Sequence, residues 1–173
     1  MKRIFLIGYM GVGKTTVGRA LAKSLNLDFI DLDLFIQARY QRSVTRLFED
    51  VGESEFRSME SRLLKEVGEF ENVVISTGGG TPCFFDNIDY MNRAGTTIYL
   101  KATPEALASR LNTCKDKRPL IKDKNKEELY DFVVKNLEKR NPCYLKARII
   151  FETEELISRD DVNKYVQQLM EKL

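Results

Sequence analysis

Histidine is absent from all 173 residues. Serine-histidine and cysteine-histidine hydrolase chemistry is therefore excluded, and any general base must be Asp, Glu, Lys, Tyr or Cys. The same absence argues against a tetrahedral zinc site. Cysteine is scarce: Cys83, Cys114 and Cys143 are odd in number, widely spaced and without a C-x-x-C pair. They form no disulfide framework, so a reducing cytoplasm is the expected setting. Long hydrophobic runs are missing too. The apolar Ile4–Ile7 stretch behind Lys2 and Arg3 stops at Gly8, with Lys14 close after it. It reads as neither a signal peptide nor a membrane span, and no later run is longer. Neither sign of charge dominates, with 28 basic residues against 26 acidic and a net charge of +2. Without a basic stripe, nucleic acid is not an expected partner. Repeats and serine- or glycine-rich low-complexity tracts are also lacking.

What remains is a chain of one domain's length, residues 1–173, with 43% apolar content and enough to bury a core. Strand and helix signals alternate along it. Residues 3–7, 29–31, 72–76, 96–100 and 148–151 read as short apolar strands. Residues 14–25, with Val17, Leu21 and Leu25 on one stripe, read as a helix. Ser43 is placed to cap a short helix that Gly52 ends, and a longer helix is expected over 53–70. Residues 86–94 form a helix closed by Gly95, and Thr103-Pro104 opens the next one with a cap and a proline at its first position. Helices are predicted over 127–140 and 160–173. Repeated strand-then-helix order implies an α/β fold whose central five-stranded parallel sheet is covered on both faces, in three α/β/α layers.

The strongest motif is Gly8-Tyr9-Met10-Gly11-Val12-Gly13-Lys14-Thr15, which satisfies G-x-x-x-x-G-K-[ST] between a strand and a helix. Its glycines let backbone amides converge on phosphate oxygens, and the helix N-terminus adds partial positive charge. Lys14 can reach the β- and γ-phosphates of ATP, and the Thr15 hydroxyl can coordinate Mg²⁺. Gly11, Val12, Gly13, Lys14, Thr15 and Thr16 are the expected nucleotide-binding residues. Gly78-Gly79-Gly80 is weaker evidence. It reads either as a plain loop or, behind the Val73-Val74-Ile75 strand, as part of the ligand crevice at the carboxyl ends of the strands.

Beyond this motif the chain resembles the shikimate kinases. The resemblance rests on Gly8 to Gly18 with Leu21-Ala22, Phe29-Ile30-Asp31-Leu32-Asp33, and Gly52-Glu53 with Phe56-Arg57 and Glu60. It continues through the triple glycine, Arg118-Pro119-Leu120, and Arg140 with Pro142 and Tyr144. These elements run in family order over residues 4–144. Residues 122–139 and Thr81-Pro82-Cys83 depart from the commonest family sequence. The resemblance implies a P-loop kinase, acting as a monomer, that phosphorylates the 3-hydroxyl of shikimate with ATP and Mg²⁺.

It also implies roles. Arg57 and Arg140 clamp the acceptor's carboxylate, a task that suits the planar fork of arginine. As residues they could equally be surface helix arginines. Glu60, three residues after Arg57, either holds that guanidinium or forms an exposed helical pair of little worth. Asp31 and Asp33 alternate on an extended segment and would point to opposite sides. By resemblance Asp31 serves Mg²⁺, through water, and Asp33 orients and deprotonates the acceptor hydroxyl. A helix cap is the other reading, and it suits Asp33 better than Asp31. Gly78, Gly79 and Gly80 are expected against the acceptor, and a substrate-binding region is expected over about 33–61. Val44, Phe48 and Phe56 match apolar pocket positions, or are ordinary core. The polar segment of about 112–126 reads as a mobile lid, in which Arg118 brings charge to the transferring phosphate. Arg110 matches a position on the nucleotide side. A gluconate kinase, a nucleoside monophosphate kinase and a non-catalytic nucleotide-binding module are the competing readings.

Overall fold

The computed structural model describes residues 2–113, 120–153 and 159–173. Its centre is an all-parallel sheet of β1 (Arg3–Ile7), β2 (Asp28–Asp31), β3 (Val73–Ser76), β4 (Thr96–Lys101) and β5 (Ile149–Glu152), in the order β2-β3-β1-β4-β5. The inner strands are apolar runs because both of their faces are covered: all four residues of β3 are buried, as are the middle four of β4. Edge strand β5 instead alternates, with Ile150 and Glu152 exposed around buried Phe151.

Helix α1 (Lys14–Leu25) turns Val17, Gly18, Leu21 and Ala22 inward and packs against β1, β2, β3 and the last helix, α7 (Arg159–Lys172). Helix α2 (Leu32–Tyr40) follows β2 without a loop. Helix α3 (Val44–Val67) is two helices joined at Gly52, whose φ of 78° and ψ of 168° lie in a region essentially reserved for glycine. Gly52 thus ends the first piece as its sequence position suggests, and the chain restarts as a helix at once. Ser43 caps the first piece, its hydroxyl accepting from the Arg46 amide at 3.2 Å. A 3-10 turn at Thr81–Cys83 precedes α4 (Asn87–Ala94), and Thr103 caps α5 (Pro104–Asn112).

Helix α6 (Lys126–Tyr144) departs from the expected 127–140. It begins with a capping box between Asn125 and Glu128 and runs through Pro142 to Tyr144. Proline disfavours helical backbone at the residue before it, so this last turn needs outside support. Tertiary contacts carry the last turn: Tyr144 is buried and its hydroxyl donates to the Gly79 carbonyl, while the Asn141 side chain accepts from the Tyr99 hydroxyl at 2.9 Å. Of the segment of about 112–126 expected as a lid, residues 114–119 lie outside the described residues, and parts of the rest belong to the core or to helices. Asn112 belongs to α5, Ile121 is fully buried in the core and Asn125 caps α6.

In this order the chain fills the sheet on one side of β1 with β2 and β3, then on the other with β4 and β5. The carboxyl end of β1 is therefore the switch point, where a parallel sheet opens a crevice. The loop after β3 lies beside it.

Candidate active site

The loop from β1 into α1 makes one wall of that crevice. Gly11 and Gly13 take φ of 81° and 99°, left-handed values that a side chain resists. Successive amides in such a turn face one anion, at the positive end of α1. Lys14 is buried, and its ammonium donates to the carbonyls of Gly8 at 2.9 Å and Tyr9 at 3.0 Å. Val12 is buried beneath the loop, whereas Thr16 is exposed at its mouth.

Asp31 ends β2 and does two things with its two oxygens. One accepts from the Thr15 hydroxyl at 2.8 Å. The other accepts from the amides of Asp33 at 3.1 Å and Leu34 at 3.3 Å, capping α2. The expected extended alternation of Asp31 and Asp33 is therefore corrected. The strand stops at Asp31, the cap is Asp31 rather than Asp33, and Asp33 stands in the first helical turn. A carboxylate at the strand end satisfies two otherwise orphaned helix amides, which fixes the turn there.

The triple glycine gathers the rest. A Cβ on Gly78 would lie 3.0 Å from an Asp33 carboxylate oxygen and 3.1 Å from one of Glu60. One on Gly79 would lie 3.3 Å from an Arg140 guanidinium nitrogen, and one on Gly80 only 2.7 Å from Arg57. Charged side chains from α2, α3 and α6 thus close on three consecutive residues, where an added methyl group would have to displace one of them.

The Arg57–Glu60 pair is not the exposed helical pair that spacing alone allows. Arg57 donates to Glu60 at 2.8 Å, and their side chains are 12% and 2% exposed. Glu60 also accepts from the Thr81 hydroxyl at 2.6 Å. The Thr81 carbonyl accepts from Asn87 at 2.8 Å, and Asn87 accepts from Ser61 at 2.6 Å. A buried pair is costly to break from one side, about 3–5 kcal/mol, so this network fixes the guanidinium's position. Phe84 stacks 4.2 Å below it, with Phe48 and Phe56 at 5.2 and 5.4 Å. Arg140 lies over the Tyr9 ring at 5.4 Å.

Electrostatics single out Asp33. Burial, with Asp31 and Glu60 adding to it, pushes its carboxyl from an ordinary value near 3.8 up to about 6, against the opposing pull of Lys14 and Arg57.

Lys14, Thr15, Thr16, Asp31, Asp33, Gly11, Gly13, Gly78 and Gly79 line one cavity of about 270 Å³. A larger groove of about 570 Å³ runs along Arg19, Phe29, Leu34 and Phe35, but of these groups it includes only Asp31. Arg110 is not on the cavity wall. It donates to the Thr153 carbonyl, while the adjoining Leu111 packs against Gly11. Arg118 lies outside the described residues. Phe56 is core, and Val44 and Phe48 are partly buried against it. Sequence reasoning overlooked Phe84, Tyr9 and Thr81. No periodicity marks them, because each acquires its place only through a neighbour distant in sequence.

Comparison with known proteins agrees over the whole length. A family model described as shikimate kinase matches residues 10–170. The shikimate kinase of Parabacteroides distasonis is 54% identical over 170 residues, 98% of each chain. The crystal structure of shikimate kinase from Bacteroides thetaiotaomicron superposes with a TM-score of 0.96 at 50% identity, covering 99% of this chain and 97% of that one. A shikimate kinase from Acinetobacter baumannii in complex with shikimate gives 0.84 at 32% identity, covering 99% and 94%. With the P-loop, the triple glycine and this match along nearly its entire length, the chain belongs to the shikimate kinase family.

Proposed function

We infer that this chain transfers the γ-phosphate of ATP to the 3-hydroxyl of shikimate, giving shikimate 3-phosphate and ADP. The observation that carries the site assignment is the convergence of Asp33, Arg140 and Arg57 on Gly78, Gly79 and Gly80, beside the Lys14 cavity.

The P-loop amides and Lys14 hold the β- and γ-phosphates. Arg57 and Arg140 take the acceptor's carboxylate, with the glycine backbone close enough to touch the ring. Asp33 accepts a hydrogen bond from the acceptor hydroxyl and aims its oxygen at the γ-phosphorus. The oxygen–phosphorus bond forms as the bridge to the β-phosphate breaks. Asp33 takes the proton late, and ADP departs. Phosphoryl transfer through a loose transition state depends on positioning and charge more than on a strong base. A carboxyl near 6 is still ionised at neutral pH, yet basic enough to receive that proton.

The Thr15 hydroxyl and Asp31 carboxylate are hard oxygen donors within 2.8 Å of each other, a donor set suited to Mg²⁺. Bound there with ATP, the ion would neutralise phosphate charge. Arg118, in its Arg118-Pro119-Leu120 motif, is assigned the cation over the transferring phosphate, and Arg110 the nucleotide side. We further read residues 1–173 as one kinase domain, monomeric and cytoplasmic, acting on small molecules rather than nucleic acid or membrane. Among the described residues no helix is long and apolar enough to cross a bilayer.

A coupled assay of ADP release with shikimate, gluconate and AMP tests the acceptor. Stimulation by shikimate alone is expected. Stimulation only by gluconate or AMP would overturn the assignment.

A further inference from the structure

Two of the three cysteines, 60 residues apart in sequence, meet in the fold. Cys83 ends the 3-10 turn after the triple glycine, and Cys143 lies in the last turn of α6. Helix α6 packs on that turn, the Cys143 thiol donates to the Pro82 carbonyl at 2.7 Å, and both thiols are free and partly exposed. The Cys83 sulfur neighbours that of Cys143, close enough that each thiol perturbs the other's ionisation.

We propose that Cys83 and Cys143 are a dithiol modification site, which a peroxide closes to a disulfide that ties the triple-glycine loop to the end of α6 and weakens the hold on the acceptor.

The two sulfurs have different parts. The Cys143 S–H, with Arg140 and Arg57 nearby, favours the thiolate of Cys83 against the effects of burial and Glu60. Cys143 is pushed the other way, chiefly by Cys83 itself and by burial, with Asp89 adding to this and Lys146 opposing it. Because the Pro82 carbonyl holds the Cys143 proton, Cys83 is the sulfur that attacks. Its thiolate takes one oxygen of hydrogen peroxide, the O–O bond breaks, and the other oxygen leaves as water after gaining a proton. Cys143 sulfur then displaces the second oxygen from the Cys83 sulfenic acid, again as water. Two thiols lose two electrons and two protons, and one peroxide becomes two waters.

A disulfide bond is about 2.05 Å long, so two unbonded sulfurs, no closer than van der Waals contact, must approach by roughly 1 Å or more. Both carriers of that movement serve the proposed acceptor site. Arg140 is one turn before Cys143 on α6, with its guanidinium against Gly79, and the 3-10 turn starts directly after Gly80. The effect on turnover rests on the clamp reading above, whereas the chemistry at sulfur does not.

The whole chain would be treated with hydrogen peroxide, blocked with iodoacetamide and digested with trypsin without reduction. Mass spectrometry should find peptide 66–93 joined to peptide 141–146. The KM for shikimate should rise about tenfold, since displacements near 1 Å at a positioned group cost up to about a hundredfold. Dithiothreitol should reverse the rise, and Cys83→Ser and Cys143→Ala should both prevent it. Linkage to peptide 111–115, or sulfinic acids without linkage, would overturn the site. A bridged enzyme with unchanged KM would overturn its coupling to the acceptor. Calorimetry of shikimate on reduced Arg57→Ala tests the clamp separately from the thiols.

Discussion

Replacing Gly80 with alanine separates the two things a glycine can do, flexing the backbone and leaving space. Gly80 has φ of −87° and ψ of −22°, an ordinary right-handed conformation. Alanine fits that backbone, and by restricting the unfolded chain it should stabilise by about 0.4–1 kcal/mol. The new Cβ, however, would sit 2.7 Å from one Arg57 terminal nitrogen and 3.1 Å from the other and from the guanidinium carbon. The guanidinium has to retreat by roughly 0.7 Å to reach ordinary contact. It cannot retreat freely, because Glu60 holds it at 2.8 Å and the Phe84 ring lies 4.2 Å away. The two effects on stability oppose each other, and a net change within about 1 kcal/mol is expected. Acceptor recognition has no such offset. A misplaced carboxylate clamp should raise the KM for shikimate about tenfold, or roughly 1.4 kcal/mol, with kcat and the KM for ATP within a few-fold of wild type. Steady-state ADP release with each substrate varied in turn, alongside thermal melting, reads all four quantities. An unchanged KM for shikimate would refute the clamp at Gly80. A parallel rise for ATP would mean that the loop as a whole had moved.

Asp33→Asn should keep ATP affinity while abolishing most transfer, and wild-type kcat/KM should climb as pH rises through about 6. Because the folded carboxyl binds its proton more tightly than the unfolded one, the fold loses stability between about pH 4 and 6 as pH rises. The amide side chain of Asp33→Asn removes that loss, so at about pH 7.5 the variant should be about 1–3 kcal/mol more stable by urea titration; a less stable variant would contradict the raised value. Arg57→Ala strands the buried Glu60 charge and should lower both stability, by about 3 kcal/mol, and shikimate affinity. Arg57→Lys should recover much of the first but little of the second, and equal recovery by calorimetry and melting would argue against a forked contact. Asp31→Asn retains a good helix cap but not the charge, so melting should be nearly unchanged while the Mg²⁺ concentration for half-maximal rate rises about tenfold or more. A lowered melting temperature with unaltered Mg²⁺ dependence would make Asp31 purely structural.

Local chemistry was legible in the sequence. Gly8 to Thr15 was legible as a P-loop because each residue there acts through its own backbone or over a single helical turn. Arg3–Ile7 and Lys14–Leu25 were readable to the residue, for burial writes its period directly into the chain. The Arg57–Glu60 spacing foretold an ion pair, though not that it would be buried. That depended on Thr81 and Asn87 closing over it from another part of the chain. The two aspartates were read as a continued strand, since nothing local says that Asp31 will find the Thr15 hydroxyl and the α2 amides at once. The helix read over 127–140 runs on through Pro142, because the buried Tyr144 holds its last turn. What the sequence by itself determined is the P-loop, the proposed phosphate-binding end, where contacts are near neighbours along the chain. Only the tertiary structure decided the cluster proposed as the acceptor end. Parallel strands set β3 beside β1, so that three glycines, two arginines, an aspartate and a pair of thiols, scattered from residue 33 to 143, came to share one small space.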